Sequence, residues 1–531
     1  MRRWNGWGDA SVQMGISTNG RTLLEQAVGV ATVYPDFPLD EYLQSVPPTR
    51  LPRHPLVTDD PHHRLECAHG QSLPDWIRMR GGTLERFPDG VAWPQSEQDV
   101  RALLAYAAEH NIVVIPYGGG TSVAGQLEIL ETERPVLSMA MTGLNRLIGI
   151  DANNLLATFE AGIFGPEIEK HLNSKGFVLG HFPQSFEYST LGGWVVTRSS
   201  GQLSRHYGRI EQLFAGGEIV TFKGRLKLPP FPASAAGPDI RQLVLGSEGR
   251  MGILTRVIVK ISPLPDAEEI YGVFFPSWDH ACQAAQTLAQ SQIPLSMVRL
   301  SNPRETQVNL SLAGHEQQIY WLKRLLKLRG IDANAACMCL IGYIGSRRQV
   351  RIAKSEAGSI LRRFKGIAVG KHMGRTWKKN RFRSAYLRNT LWDLGYAVDT
   401  LETAVNWDRV TDTMGAVETA LEKALESENE RMLAFSHLSH VYATGSSIYT
   451  TFVFRLADTP HKALERWHKL KQAASRAIVK AGGTISHHHG IGTDHKPYLE
   501  AEKGTIGINT LQQAFNYLDP GRQMNPGKLL P

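Results

Sequence analysis

Three consecutive histidines stand in Ser486-His487-His488-His489-Gly490-Ile491-Gly492. Neighbouring side chains on a helix or strand point in different directions, so the three cannot all ligate one ion from a regular element. The glycines behind them point instead to a tight turn that holds an imidazole as acid or base near neutral pH. Arg388, in Ala385-Tyr386-Leu387-Arg388-Asn389, offers the paired donors that suit a phosphate or a carboxylate. Its alternative use is a structural ion pair with Asp393 or Glu402. Tyr449, in Gly445-Ser446-Ser447-Ile448-Tyr449, lies in strand-like sequence, where tyrosine ordinarily packs into a core.

Three glycine-rich blocks precede these groups. Pro116-Tyr117-Gly118-Gly119-Gly120-Thr121-Ser122 follows the apolar run 112–115, and such a run at a strand end lets backbone N–H groups approach a pyrophosphate. It has neither the Gly-x-Gly-x-x-Gly spacing of a dinucleotide turn nor the Lys-Ser/Thr pair of a Walker loop. The second block, Gln184-Ser185-Phe186-Glu187-Tyr188-Ser189-Thr190 running through Gly192-Gly193 to Thr197-Arg198-Ser199-Ser200, concentrates hydroxyl donors around a glycine pair. A third, Gly246-Ser247-Glu248-Gly249-Arg250-Met251-Gly252-Ile253-Leu254, enters a strand.

The elements around the blocks alternate. Ser96 and Asp99 form a capping-box pattern ahead of a helix that carries Val100, Leu103, Leu104 and Ala107 on one face. It ends near Asn111, and the strand 112–115 leads into the first glycine run. Strand, glycine loop and helix in alternation indicate layered α/β packing, continued by a strand near 155–159, a helix near 166–174 and a strand near 251–261. Pro263 and Pro265 fit neither a helix interior nor a central strand and mark a boundary. Beyond it, alternating strand and helix patterns to residue 481 form a second unit, and the short glycine-rich blocks after 482 read as a segment returning to the first.

With 531 residues, 42% of them hydrophobic, the chain is long enough for two or three cores and too apolar for disorder. Four scattered cysteines exclude a disulfide framework, and Cys337-x-Cys339 is too tight for a usual zinc pair. No apolar stretch reaches signal-peptide or membrane-span length, so the expectation is a cytoplasmic protein with no metal centre. The net charge of +8 is uneven: residues 347–388 hold fourteen Lys/Arg against the single acid Glu356. That segment suits a phosphorylated ligand or peripheral contact with an anionic membrane; without a nucleic-acid signature and with a net-acidic remainder, no nucleic acid is expected.

The order Pro-x-Gly-Gly-Gly-Thr-Ser, Ser-Thr-x-Gly-Gly-Trp-Val-x-Thr-Arg and Gly-Ser-Glu-Gly resembles the vanillyl-alcohol-oxidase type (PCMH-type) of FAD-binding flavoprotein. Within it the ether-lipid synthase branch is most alike, over nearly the whole chain from Trp4-Asn5-Gly6-Trp7-Gly8 onward. The resemblance implies an α+β fold: a two-subdomain FAD-binding domain at 86–265 after an N-terminal region at 1–85, an α+β cap with an antiparallel sheet at 266–481, and a C-terminal segment at 482–531 that completes the site. It implies that residues 116–122, 184–190, 197–200 and 248–254 line FAD. Arg250-Met251 departs from the family's usual Thr-Leu, and Ser199 from its frequent Ala. No histidine lies within 118–122, where covalent members often carry one, so FAD is expected to be non-covalent.

By the same resemblance the enzyme exchanges the acyl group of acyl-dihydroxyacetone phosphate for a fatty alcohol, with flavin N5 as a covalent carrier and no net redox change. Tyr449 would move the C1 proton, His488, between His487 and His489, would deprotonate the alcohol, and Arg388 would hold the anionic head. A homodimer is expected on the same ground. The rival reading is FAD-linked oxidation of a 2-hydroxy acid. Dehydrogenases of that kind carry a metal-associated Gly-Asp-Gly-Asn-x-His-like motif where this chain has His440-Val441-Tyr442-Ala443-Thr444-Gly445, which favours the exchange. A flavin-holding scaffold without chemistry is the remaining alternative, disfavoured by the retention of Arg388, Tyr449 and the histidine run.

Overall fold

The computed structural model describes residues 2–312, 314 and 316–530. Near the N-terminus, Ser96 Oγ accepts the Asp99 N–H at 3.2 Å and starts the helix Glu97–Glu109. Its apolar stripe (Val100, Leu103, Leu104, Ala107) is buried against a four-stranded sheet, and Asn111, with φ 51°, turns the chain into the strand Val113–Tyr117. That strand pairs in parallel with Val136–Ala140, which pairs in turn with Gly90–Ala92. No helix follows the glycine run, as simple alternation would have it. The chain instead runs irregularly from Thr121 to Pro135, so backbone N–H groups here belong to a loop rather than to a helix end.

A second sheet is antiparallel, in the order Leu147–Asp151, Leu156–Glu160, Ile253–Lys260, Phe214–Thr221, Gly224–Leu228. The helix Leu191–Thr197 packs on it through Leu191, Trp194 and Val195. At the expected break, Ser262–Pro263 forms only a two-residue edge pairing with Phe177–Val178, a placement that tolerates proline's missing N–H.

Beyond it lies a seven-stranded antiparallel sheet, in the order Ile367–Gly370, Ala267–Phe275, Cys337–Gly345, Leu295–Ser301, Met432–Leu438, Gly445–Arg455, Tyr396–Asn406. Helices Trp278–Gln290, Arg347–Arg363, Val410–Ala424 and Pro460–Lys480 accompany it. The basic segment is built into this unit as a helix, the edge strand and the helix His372–Asn380, and part of its charge is spent on cap carboxylates. Lys371 meets Glu269 at 2.5 Å and Lys378 meets Glu268 at 2.6 Å. The chain's end returns to the first sheet: Val114 donates to Gln523 O and Asn525 donates to Val114 O, each at 2.8 Å. No helix among the described residues is long and apolar enough to cross a membrane.

Candidate active site

The three glycine blocks, far apart in sequence, converge. A Cβ on Gly119 would lie 1.7 Å from the Tyr188 carbonyl oxygen, so the first loop lies directly on the second and only glycine permits it. Thr190 caps the helix Leu191–Thr197, its Oγ1 accepting the Gly193 N–H at 3.3 Å. The third block joins by backbone: Gly246 donates to Val195 O (3.2 Å) and Glu248 to Val196 O (2.8 Å).

Within these blocks the side chains divide. Ser199 Oγ meets His181 Nε2 at 2.7 Å, and Ser189 Oγ accepts the Trp194 indole N–H at 2.7 Å. Ser122 Oγ bonds Gln126, while Tyr188 OH meets Tyr386 OH at 2.8 Å. Phe186, Met251, Ile253 and Leu254 are packed into the core. Gln184 and Glu187 are exposed, and Arg198 turns outward to Glu211 (3.3 Å) and Gln242 (3.0 Å). Arg250 is buried rather than facing solvent, its Nη1 3.4 Å from Lys528 O. Thr197 Oγ1 bonds back to Gly193 O at 2.8 Å.

Glu248, wholly buried, ties the C-terminal segment to the blocks by accepting from Ile491 N (2.6 Å) and Gly492 N (2.8 Å). This clamp places the histidines. All three gather on a second buried carboxylate, Glu402, whose Oε1 accepts the backbone N–H of His488 (2.5 Å) and His489 (2.6 Å). Glu402 Oε2 pairs with His488 Nδ1, and the Nδ1 atoms of His487 and His489 lie 3.7 Å from the same carboxylate. The divergence expected of successive side chains is thus overcome, because 486–492 is neither helix nor strand. Burial opposes ionisation of Glu402, but the surrounding histidines outweigh it and hold the carboxyl well below its ordinary range. Ligand atoms of Glu402, His488 and His489 lie within 4.8 Å of one another, a spacing able to hold a cation.

His487 is fixed on its other side. Its Nε2 lies 2.6 Å from Arg209 Nη1 and 2.6 Å from Tyr442 OH, and Arg209 Nη2 donates to its carbonyl at 2.8 Å. Guanidinium can only donate, so Nε2 accepts and Nδ1 carries the proton, turned toward the Glu402 carboxylate at 3.7 Å. Burial, with the Arg209 charge added, lowers His487 to about 4 despite Glu402. His489 is lowered to about 4, chiefly by burial. Both are neutral at pH 7.

Tyr449 lies directly across from Glu402 on one neighbouring strand and from His437 on the other. Its ring stacks with His437 (centroids 5.0 Å, 28°) and with His488 (5.9 Å, 15°), and His489 approaches edge-on at 5.7 Å. Beneath His437, Glu305 pairs with His437 Nδ1 (2.9 Å) and Arg299 (2.8 Å). Burial raises the Tyr449 phenol well above its ordinary value, so it is protonated at neutral pH.

Arg388 pairs with neither Asp393 nor Glu402: Asp393 is taken by Arg80 at 2.7 Å, and Glu402 by the histidines. Its guanidinium lies over the Trp76 ring at 4.3 Å, and Nη1 donates to Gln71 O at 2.5 Å. Nε and Nη2 are buried with no partner among the described residues. Burial lowers it to about 10, opposed by Asp399 and Asp75, so it remains charged. Next to it, Asn389 clamps the N-terminal segment through Trp7 N and Trp7 O, each at 3.0 Å.

Sequence reasoning reached Arg388, Tyr449 and the histidines but not Arg209 or His437, and met Glu402 only as a candidate partner of Arg388. Nothing in the sequence around these three marks them, since their roles arise from strand register and from contacts across 278 positions in the case of Arg209 and His487.

Ser200 Oγ, Ser486 Oγ and the two Arg388 nitrogens are buried without partners among the described residues, as donors awaiting a polar ligand would be. With the converging glycine blocks, they fit a bound dinucleotide and an anionic substrate. Fold and site together define a flavoenzyme of the FAD-linked oxidase class, and the matching family models agree: an FAD binding domain over residues 88–228 and the C-terminal domain of FAD linked oxidases over 264–529.

Relatives narrow the class. The chain is 33% identical over 481 residues to the alkyldihydroxyacetonephosphate synthase of Dictyostelium discoideum, covering 90% of this chain and 78% of that one. It is 29% identical over 569 residues to that of Trypanosoma brucei brucei, covering 100% and 92%. A solved structure of an alkyldihydroxyacetonephosphate synthase superposes with a TM-score of 0.85 at 28% identity over 99% of each chain. The chain belongs to the alkyldihydroxyacetonephosphate synthase family, and its cofactor is FAD.

Proposed function

We propose that this enzyme replaces the acyl group of acyl-dihydroxyacetone phosphate with a fatty alcohol, without net oxidation or reduction. FAD, when bound, supplies a temporary carrier for the dihydroxyacetone-phosphate unit between the two half-reactions. The residues that would hold it are those of the loops 116–122, 184–190 and 197–200, with the Glu248 block closing behind. Arg388 binds the phosphate through Nε and Nη2, in a buried setting where a charged donor is strongest.

In the first half-reaction the C1–O bond to the acyl group breaks and the fatty acid leaves with that bond's electron pair. In the second the alcohol oxygen bonds C1. Tyr449, a phenol at rest, gives its own proton to the departing carboxylate, takes the C1 proton in its place and later returns it to C1, and the proton that His488 takes from the alcohol then restores the phenol. His488 takes the alcohol proton: Glu402 holds the Nδ1 proton, leaving Nε2 as the base. Glu402 thus orients the imidazole and stabilises the charge it gains.

This reading is carried by the stacking of Tyr449 on His488, with ring planes 15° apart. An exchange moves two protons at one place, from C1 and from the alcohol, and needs two such groups; removal of a hydroxyl proton during hydroxy-acid oxidation needs one. The test is to incubate the purified holoenzyme with acyl-dihydroxyacetone phosphate and a fatty alcohol, beside parallel tubes of 2-hydroxy acids. Alkyl product with release of fatty acid is expected. Bleaching of the flavin by a hydroxy acid, without alkyl product, would establish the oxidase reading instead.

A further inference from the structure

The helix Glu316–Leu328 lies on the cap with an apolar surface on both sides. Its inner side is accounted for, since Leu322 and Leu326 pack with Phe274, Met338 and Met373. Its outer side is not. Tyr320 is 56% exposed, Trp321 64%, Leu325 39% and Leu328 83%, a group of large apolar side chains that a water-facing helix has no reason to present.

The polar groups among them are all of one sign. Lys323, Arg324, Lys327 and Arg329 stand between Gln317 and Ile331, a stretch without an acid, and among the described residues none of the four meets a carboxylate in a salt bridge. The Arg324 guanidinium lies 5.7 Å from the Tyr320 ring and 5.6 Å from the Trp321 ring. Trp and Tyr with a polar edge, aliphatic tips beside them and long cationic side chains able to reach outward form the composition of a helix lying in the headgroup region of a bilayer. A protein partner of matching chemistry would have to be acidic and apolar at once; an anionic lipid surface offers both layers in the required order.

We infer that the Glu316–Leu328 helix docks this enzyme onto an anionic membrane surface, with Trp321 and Leu328 entering the acyl boundary and Lys323 and Lys327 meeting lipid phosphates. The basic segment 347–388 commits part of its charge within the protein. Lys371 and Lys378 of that segment are paired with Glu269 and Glu268, while Arg388 lies in the site. The docking helix is coupled to that segment from below, because its Leu326 shares one apolar cluster with Ile367, Val369 and Met373. Two residues past the His372–Asn380 helix, Phe382 stacks on Phe186 of the second glycine block at 5.0 Å. A membrane-bound helix would therefore sit over elements that lead to the second glycine block.

The test is flotation of the holoenzyme with vesicles of phosphatidylcholine, with and without phosphatidylserine. Binding to the mixed vesicles that weakens with salt is expected. Trp321→Ala/Leu328→Ala should weaken it about tenfold or more, and Lys323→Gln/Lys327→Gln should lower both affinity and salt dependence. Flavin content and melting temperature of all variants should stay at the wild-type level, because the four side chains are exposed. Equal binding by wild type and Trp321→Ala/Leu328→Ala, no vesicle binding at all, or loss of self-association in place of vesicle binding would each overturn the inference.

Discussion

Glu402 and Tyr449 face each other in register on the strands Tyr396–Asn406 and Gly445–Arg455. Residues directly opposite in an antiparallel pair share a face of the sheet, so one face carries both the carboxylate that collects the histidines and the phenol that stacks on one of them. A slip of one residue in that register would send either group to the opposite face.

Replacing Glu402 by Gln keeps its size and removes the charge. His488 then loses its orienting anion, and kcat should fall by about a hundredfold with KM little changed. Steady-state kinetics beside flavin absorbance checks this; a KM effect alone would place Glu402 outside the chemistry.

Tyr449→Phe and His488→Ala should each retain FAD and lose turnover by about a hundredfold or more, since each removes one proton-transfer group. Full activity in either variant would refute its assigned role.

Arg388→Met should raise KM for the phosphorylated substrate, with kcat/KM falling by about tenfold to a hundredfold from the loss of charged hydrogen bonds. Arg388→Lys should restore little, because a point charge replaces a fork and cannot lie flat over Trp76. Comparing phosphate and carboxylate inhibitors on the three proteins measures the anion preference.

His487 and His489 have folded values near 4, against an ordinary 6.5. Below pH 6.5 the unfolded chain takes up protons that the folded chain refuses, so stability falls as pH drops from 6.5 toward 4. Glu402 adds to this lower down: its folded value lies well below 4.5, so the stability it contributes is present above 4.5 and lost as pH falls through the folded value. Melting temperature should decline over that range, and less steeply in His489→Asn. An unchanged slope in that variant would remove His489 from the account.

Gly119→Ala forces a methyl against the Tyr188 carbonyl, 1.7 Å from where Cβ would stand. The first two loops must separate, and the purified variant should carry much less FAD than wild type. In the wild type, acid denaturation should release all the flavin into solution, as expected from the lack of histidine in 118–122.

Much of this was legible in the sequence. The capped helix at 97–109, the three glycine blocks and the histidine run are local signals, readable from periodicity, composition and motif order, whereas the roles given to Arg388, Tyr449 and His488 come from the family resemblance. The return of the C-terminal segment was readable as well, though its anchors, Glu248 and the edge of the Val113–Tyr117 strand, were not. What stayed hidden depends on register and on distant partners. Glu402 is one acid among many until Tyr449 is seen opposite it, and Arg209 is one arginine among many until His487 is seen against it. The placement of the basic segment was hidden for the same reason, because its partners Glu268 and Glu269 belong to a strand about 100 residues earlier, as the 102 positions between Lys371 and Glu269 show.

The central claim, exchange without net redox, is tested most directly by following the flavin spectrum through many anaerobic turnovers with acyl-dihydroxyacetone phosphate and a fatty alcohol. The account predicts continued alkyl product far beyond one equivalent per flavin, matched mole for mole by fatty acid, with the flavin oxidised at the end. Product that stops at one equivalent, or a flavin left reduced with no acceptor present, would contradict it.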